Sequence, residues 1–342
     1  MKKFFSCDWG TSSFRLKLIE ANTLGIIAAE TSSCGISQTF ELWRQSKQKE
    51  ESRISFYAGF IRDHIKIIEQ KLNTPLDHLS VIISGMASSN IGVLELSYKK
   101  LPFAVDGSDL LTKHIKASAS FPHDIFLISG ACTNDDVMRG EETQLAGCNS
   151  TDGKGIYIFP GTHSKHVFTE NGFAVDCKTY MTGEFFELLS TKSILSSSVE
   201  HGNGLDNDGN LQSFGKGVSD GIQSNLLNSS FRVRTNILFN KHSKQENYYY
   251  LSGLLIGAEL KELLHSDFPD ITVVASREQW TYYEEAFHIL RKSGSLAIPS
   301  FQNVEEATIN GQWMIASPQP PPVEGVGGRL QNNYLVPNLL RL

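Results

Sequence analysis

The feature that most constrains this chain is a short motif that occurs twice. Gly10-Thr11-Ser12-Ser13 stands near the start and Gly161-Thr162-His163-Ser164 in the middle, both of the form Gly-Thr-x-Ser. Each follows an apolar, strand-like run (residues 3–7 and 155–159) and leads straight into another (14–19 and 166–169), which places it at the tip of an expected β-hairpin. Glycine lets the backbone turn tightly and approach a ligand, and the N–H groups and two hydroxyls of such a loop make a concavity suited to phosphate oxygens. Two of them facing each other would clamp one polyphosphate. A P-loop is different, joining a strand to a helix and ending in Gly-Lys-Ser/Thr, and no such string occurs here.

The pattern around the motifs repeats as well. Three short strands (3–7, 14–19, 25–31) precede a helix over 57–72, where Phe60, Ile61, Ile65, Ile68 and Leu72 recur on one helical face. Short apolar runs at 81–84 and 126–129 read as buried strands. After the Gly-containing break at 151–155, strands at 155–159, 166–169 and 173–179 restart the series. Helices at 183–195 and 250–264, a strand at 271–275 and a helix at 280–292 follow. Strands, a helix and then strand–helix alternation, run twice, is the order of two RNase H-like α/β domains. We expect them over residues 1–148 and 149–316, with a Pro- and Gly-rich tail over 317–342 that is too rich in breakers to form a core element.

At 342 residues the chain is long enough for two domains, each with its own core. A formal net charge of −6 argues against nucleic acid or an anionic membrane as the main partner. No apolar run approaches the roughly 18 residues that span a bilayer. The N-terminal apolar stretch meets Asp8 too early to be a signal peptide core. The five cysteines are scattered, odd in number and without a Cys-x-x-Cys pair, as in a reduced, cytoplasmic protein without a structural zinc site. An oligomer is compatible with such a chain.

Two segments concentrate ionisable groups. Asp8 ends the first strand just before the first loop; it either caps the turn through an Asx-type bond or faces a Mg²⁺, an ion that takes one or two carboxylates with phosphate oxygens. Residues 135–142 hold Asp135, Asp136, Arg139, Glu141 and Glu142. A carboxylate there is either helix-start charge or the base that phosphoryl transfer to an alcohol needs. Lys165 and His163 either face solvent or touch an anion, and Arg139 either pairs with Asp135 or Asp136 or grips a carboxylate bidentately. Thr182 is placed to cap a helix whose first turn holds Glu184. Gly253 and Gly257 allow close helix packing or close approach of the backbone to a ligand, and Gly257 reads as a packing position.

The strings D-W-G-T-S-S-F-R (8–15), S-G-M (84–86), M-R-G-E-E-T-Q (138–144), P-G-T-H-S-K (160–165), M-T-G-E (181–184) and L-S-G-L-L-I-G-A-E (251–259) closely resemble those of the 2-dehydro-3-deoxygalactonokinase family, in that family's order. The family is part of the actin-like ATPase and sugar kinase superfamily. The resemblance implies two RNase H-like domains with a nucleotide cleft between them, and ATP-dependent phosphorylation of the terminal hydroxyl of 2-dehydro-3-deoxy-D-galactonate with Mg²⁺. Another sugar or sugar acid, or a non-catalytic nucleotide-binding role, is the alternative. It also implies site residues. The catalytic carboxylate of related kinases follows a glycine before the second loop, a place matched by Gly140-Glu141, with Glu142 and Asp136 as competitors and Asp8 at the metal. ATP would lie on Gly10, Thr11, Ser12, Ser13, Gly161, Thr162, His163, Ser164 and Lys165. Its adenosine would lie over Ala275-Ser276, where a glycine is more usual than Ala275. The sugar acid would meet Gly85, Met86, Arg139, Thr182 and Glu184.

Overall fold

A computed structural model describes residues 2–47, 49–148, 153–266, 268–293 and 297–317. The expected tail lies outside the described residues from 318 onward. In the first half the chain runs β1 (Lys3–Trp9), β2 (Phe14–Glu20), β3 (Gly25–Ser32), α1 (Ile36–Gln45), α2 (Arg53–Leu72) and β4 (Val81–Gly85). It continues through β5 (Lys99–Lys100), β6 (Phe103–Ala104), β7 (Thr112–Ile115), β8 (Ile125–Ile128), β9 (Ala131–Cys132), β10 (Val137–Met138) and α3 (Glu141–Ala146). The second half is β11 (Gly155–Phe159), β12 (Ser164–Glu170), β13 (Phe173–Tyr180), α4 (Thr182–Thr191), α5 (Asp208–Gln223), α6 (Leu226–Leu238), α7 (Lys244–Leu260), β14 (Asp270–Ala275), α8 (Arg277–Ser293), β15 (Ser300–Asn303) and α9 (Val304–Ala316).

Two sheets carry the duplicated pattern. The first has the order β3-β2-β1-β4-β8-β7 and the second β15-β14-β11-β12-β13-β6. In both, an antiparallel meander of three strands continues through a parallel neighbour of its first strand: β1 pairs with β4, and β11 with β14. This is the doubled RNase H-like α/β fold. Each sheet has one inner strand, β4 in the first and β11 in the second, in which every residue is buried. Such runs have no polar face to show water.

The halves are also laced together. Short β6 pairs with β13 of the second sheet, while α9 returns from the end of the second half to pack on α3 and the first sheet. The α3–α9 contact is backbone to backbone: a Cβ on Gly147 would stand 1.8 Å from the Ala307 carbonyl, and one on Gly311 1.8 Å from that of Thr143. Gln312 on α9 donates to the Cys7 carbonyl at 2.9 Å and to Ser84 at 2.8 Å, directly behind the end of β1. Within the second half, α5 and α7 lie equally close. A Cβ on Gly253 or Gly257 would meet the Phe214 or Val218 carbonyl at 2.2 or 2.3 Å, so packing, not ligand approach, explains these two glycines.

Candidate functional site

Both Gly-Thr-x-Ser loops are hairpin tips. Trp9 pairs with Phe14 across the first, and Phe159 with Lys165 across the second, which is longer by one residue. Each loop is braced from behind by a helix start. Ile36 and Ser37 donate backbone N–H bonds to the carbonyls of Gly10 (2.9 Å) and Thr11 (3.2 Å), and Glu184 donates to that of Thr162 (3.0 Å). A glycine makes room each time: a Cβ on Gly35 would stand 2.3 Å from the Thr11 carbonyl, and one on Gly183 2.5 Å from that of Gly161. With these carbonyls tied back, the loops expose the hydroxyls of Thr11, Ser12 and Thr162. That is the polarity an anion site needs.

Gly10 and Gly161 themselves have ordinary φ. No side chain of the protein crowds them, since a Cβ on Gly161 would meet nothing within 4 Å and one on Gly10 only Ser13, at 3.5 Å. A turn through φ > 0 is therefore not what calls for glycine here, and close approach of a ligand remains as the reason.

The loops rest on different foundations. Beneath the first, Trp9, Phe14, Tyr57 and Phe60 form an aromatic cluster with ring centroids 4.8–5.5 Å apart. Beneath the second lies the buried carboxylate of Glu259 on α7. It accepts from Ser164 (2.8 Å), His166 (3.0 Å), Tyr283 (3.0 Å to either oxygen) and the hydroxyl of Thr182. A buried carboxylate is tolerable only when its lone pairs are so occupied. Thr182 is the first residue of α4 and Met181 its N-cap, so the threonine's hydroxyl serves Glu259 instead of the helix end.

The acidic segment meets the first sheet through two glycines in left-handed territory, Gly85 (φ 87°) and Gly140 (φ 119°). A Cβ on Gly140 would touch the Gly85 Cα at 3.5 Å, and one on Gly85 would stand 3.5 Å from Asp8 Oδ1 and 2.9 Å from the Trp9 carbonyl. The end of β1, the end of β4 and the start of α3 thus converge. Asp8 Oδ2 accepts from Arg15 at 2.9 Å, while Oδ1 accepts no hydrogen bond among the described residues. Glu141 takes the Arg139 N–H on Oε2 at 2.9 Å and turns Oε1 toward Lys165 Nζ, 3.9 Å away on the second loop. Carboxylate and ammonium face each other from different halves of the chain.

The neighbouring acids are otherwise engaged. Glu142 is fully buried, accepts the Gly140 N–H at 2.8 and 3.0 Å and the Thr143 hydroxyl at 3.0 Å, and burial followed by the Glu141 charge raises its pKa to about 7. Asp136 spends both oxygens on Thr179, at 2.6 Å to its N–H and 2.5 Å to its hydroxyl. Arg139 pairs with neither Asp135 nor Asp136 but reaches Ser88, just after Met86.

Thr182 and Glu184 stand with the second loop, apart from Gly85, Met86 and Arg139. Glu184 holds His163 Nε2 at 2.6 Å. Ala275 is buried, and Ser276 starts α8 in a reciprocal cap with Gln279 (3.2 Å each way), whose side chain also donates to the Pro160 carbonyl at 3.2 Å. Between Gly161, Thr182, Phe186, Tyr248, Gln279 and Tyr282 opens a pocket of about 240 Å³. Phe186 and Tyr248 meet edge to face at 4.9 Å beside it. None of these aromatic residues stood out in the sequence, because aromatic residues on a helix read as core.

No group of three or more metal-ligating side chains occurs among the described residues, and none of their helices is long and apolar enough to cross a membrane.

The model of the family described as 2-keto-3-deoxy-galactonokinase matches residues 8–315. The chain is 31% identical over 219 residues to the 2-dehydro-3-deoxygalactonokinase of Escherichia coli (strain K12), covering 61% of this chain and 70% of that one. It is 30% identical over 268 residues to a "Probable 2-dehydro-3-deoxygalactonokinase" of Rhizobium meliloti (strain 1021), covering 75% and 79%. A crystal structure of a Sinorhizobium meliloti protein provisionally named for the same activity superposes with a TM-score of 0.75 at 26% identity, over 95% of this chain and 100% of the other.

Proposed function

Because the chain belongs to the 2-keto-3-deoxy-galactonokinase family, we propose that it transfers the γ-phosphoryl group of ATP to the terminal hydroxyl of 2-dehydro-3-deoxy-D-galactonate, using the cleft between its two hairpins. The observation that carries this reading is the approach of Glu141 to Lys165, 3.9 Å apart, which joins a proton acceptor and a phosphate-binding cation from opposite halves. The exposed hydroxyls of Thr11, Ser12 and Thr162 and the N–H groups of the two loops left unbonded hold the phosphates, with Lys165 on the transferring group and His163 at the rim, while Ser164, buried and bonded to Glu259, braces the second loop. The pocket lined by Phe186, Tyr248 and Tyr282 takes the adenine, next to the Ala275-Ser276 turn.

Glu141 accepts the proton of the substrate hydroxyl as that oxygen bonds to the γ-phosphorus and ADP departs. Its Oε1 faces Lys165 and accepts no hydrogen bond among the described residues, while Oε2 is fixed by the Arg139 N–H. Glu142 and Asp136 hold the segment in place. Asp8, with Oδ1 free of hydrogen bonds and next to the converging turns, suits a Mg²⁺ or one of its waters. Such an ion would neutralise charge on the phosphates. Gly85 and Met86 shape the sugar side, and Thr182 and Glu184 keep the second loop in register. The reading keeps the division into residues 1–148 and 149–316, with α9 crossing back, and a cytoplasmic setting where ATP is available.

Incubating the protein with Mg·ATP and 2-dehydro-3-deoxy-D-galactonate tests it. ADP release that depends on the sugar acid, with one equivalent of 6-phosphorylated product by mass spectrometry, is expected; ADP release indifferent to the acid and without that product would refute it.

A further inference from the structure

Arg139 is a half-buried cation with no anion. No carboxylate among the described residues comes within 4.0 Å of its guanidinium. Nη1 is fixed by the buried Ser88, donating to its carbonyl at 2.6 Å and its hydroxyl at 2.7 Å. The guanidinium carbon lies over the Tyr98 ring, 4.2 Å from its centroid. Tyr98 in turn is seated on the bare Cα of Gly130, where a Cβ would stand 3.0 Å from the ring. Nη2 and Nε donate to nothing among the described residues. A guanidinium anchored at Nη1, held over an aromatic ring and open along its Nε–Nη2 edge is preorganised for a bidentate anion. Partly desolvated charges call for a partner, and none stands among the described residues.

Its position defines what that anion is. The backbone N–H of Arg139 is bonded to Glu141 Oε2, so one end of this residue marks the proposed base and the other the open cation. As many bonds separate the Cα of an arginine from its guanidinium carbon as separate the terminal carbon of a six-carbon sugar acid from its carboxyl carbon. The turn after β4, Met86-Ala87-Ser88-Ser89-Asn90, contains no cation of its own.

We propose that Arg139 is the residue that selects acids: its guanidinium binds the carboxylate of the substrate whose terminal hydroxyl is presented to Glu141. This rests on the kinase reading above and adds to it the reason for an acid substrate. Ser88 and Tyr98 act through Arg139 as positioning residues.

The test is a comparison of kcat/KM for 2-dehydro-3-deoxy-D-galactonate and for its C1 carboxamide, in the parent, Arg139→Gln and Arg139→Lys, with KM for ATP and the melting temperature alongside. Truncating one partner of a hydrogen-bonded charge pair is typically worth about 30-fold or more. Arg139→Gln should therefore lose at least about that factor on the acid, through KM, while its rate on the carboxamide and its KM for ATP hold. Arg139→Lys should recover part of the acid preference. An Arg139→Gln enzyme that still prefers the acid, or that loses acid and carboxamide alike, overturns the proposal. Should Arg139→Gln fail to fold, Arg139→Lys decides: an unchanged KM for the acid refutes the assignment. A parent that phosphorylates only neutral sugars refutes the substrate reading as well, whereas an acid-specific parent with an indifferent Arg139→Gln refutes this inference alone.

Discussion

The two hairpins share a backbone and differ in chemistry. Both turn through Gly-Thr-x-Ser, and both are braced by a helix start whose glycine packs on the loop carbonyls. Where the first has Asp8 and Phe14 at its edges, the second has Phe159 and Lys165. The first stands on an aromatic cluster and the second on one buried carboxylate, Glu259. The same turn thus occurs twice, while the acid Glu141 and the cation Lys165 stand on separate halves. They meet at 3.9 Å between the halves, so on the proposed reading the chemistry depends on the halves meeting.

The largest expected effect comes from removing the acid that faces the second loop. Glu141→Gln keeps the volume and the Arg139 bond but cannot take a proton, so kcat should fall by about 10²- to 10⁴-fold with ATP affinity little changed. Glu142→Gln and Asp136→Asn are the controls, since their oxygens are spent inside the protein. A control that loses more turnover than Glu141→Gln moves the base; three active variants would make the segment structural.

Next comes Asp8, which gives the first hairpin its acid. Asp8→Asn should lower kcat by about 10- to 100-fold, the range for groups that support a metal, and added Mg²⁺ should restore part of it. Near-normal turnover at ordinary Mg²⁺ would leave Asp8 only its bond to Arg15.

The smallest effect concerns the foundation of the second loop. Glu259→Gln leaves at least one of Ser164, His166, Thr182 and Tyr283 without its acceptor, which should cost about 1–3 kcal/mol of stability in denaturant titration. KM for ATP should rise a fewfold while KM for the sugar acid holds; equal changes in both would mean that Glu259 stabilises the fold at large.

The division of labour explains what the sequence could reveal. The hairpins, the buried strands and the restart at residue 155 were legible because they rest on local alternation and turn residues. So was the concentration of acids before the second loop. The return of α9 was not, for Gln312 finds Cys7 and Ser84 only after the whole chain has folded. Long helices α5 and α6 escaped notice because glycines and polar residues break their periodicity. Glu259 had left a trace: it ends a helix apolar on nearly every side, and a carboxylate there has to be buried and satisfied. The family resemblance puts Glu141 ahead of Glu142, but charge and spacing alone do not separate these neighbours, since which of them faces the cleft depends on how Gly140 turns the start of α3.

The central claim, that both hairpins grip one nucleotide, is tested most directly by titrating a non-hydrolysable Mg·ATP analogue into Gly10→Val and Gly161→Val. Ordinary φ and the space around both positions let either variant fold with the parent's melting temperature, so any loss reports on the ligand. Losing hydrogen bonds to charged phosphate oxygens is worth about tenfold or more in Kd, and each variant should weaken binding by at least that much. Two stable variants that bind the analogue as tightly as the parent would contradict the account.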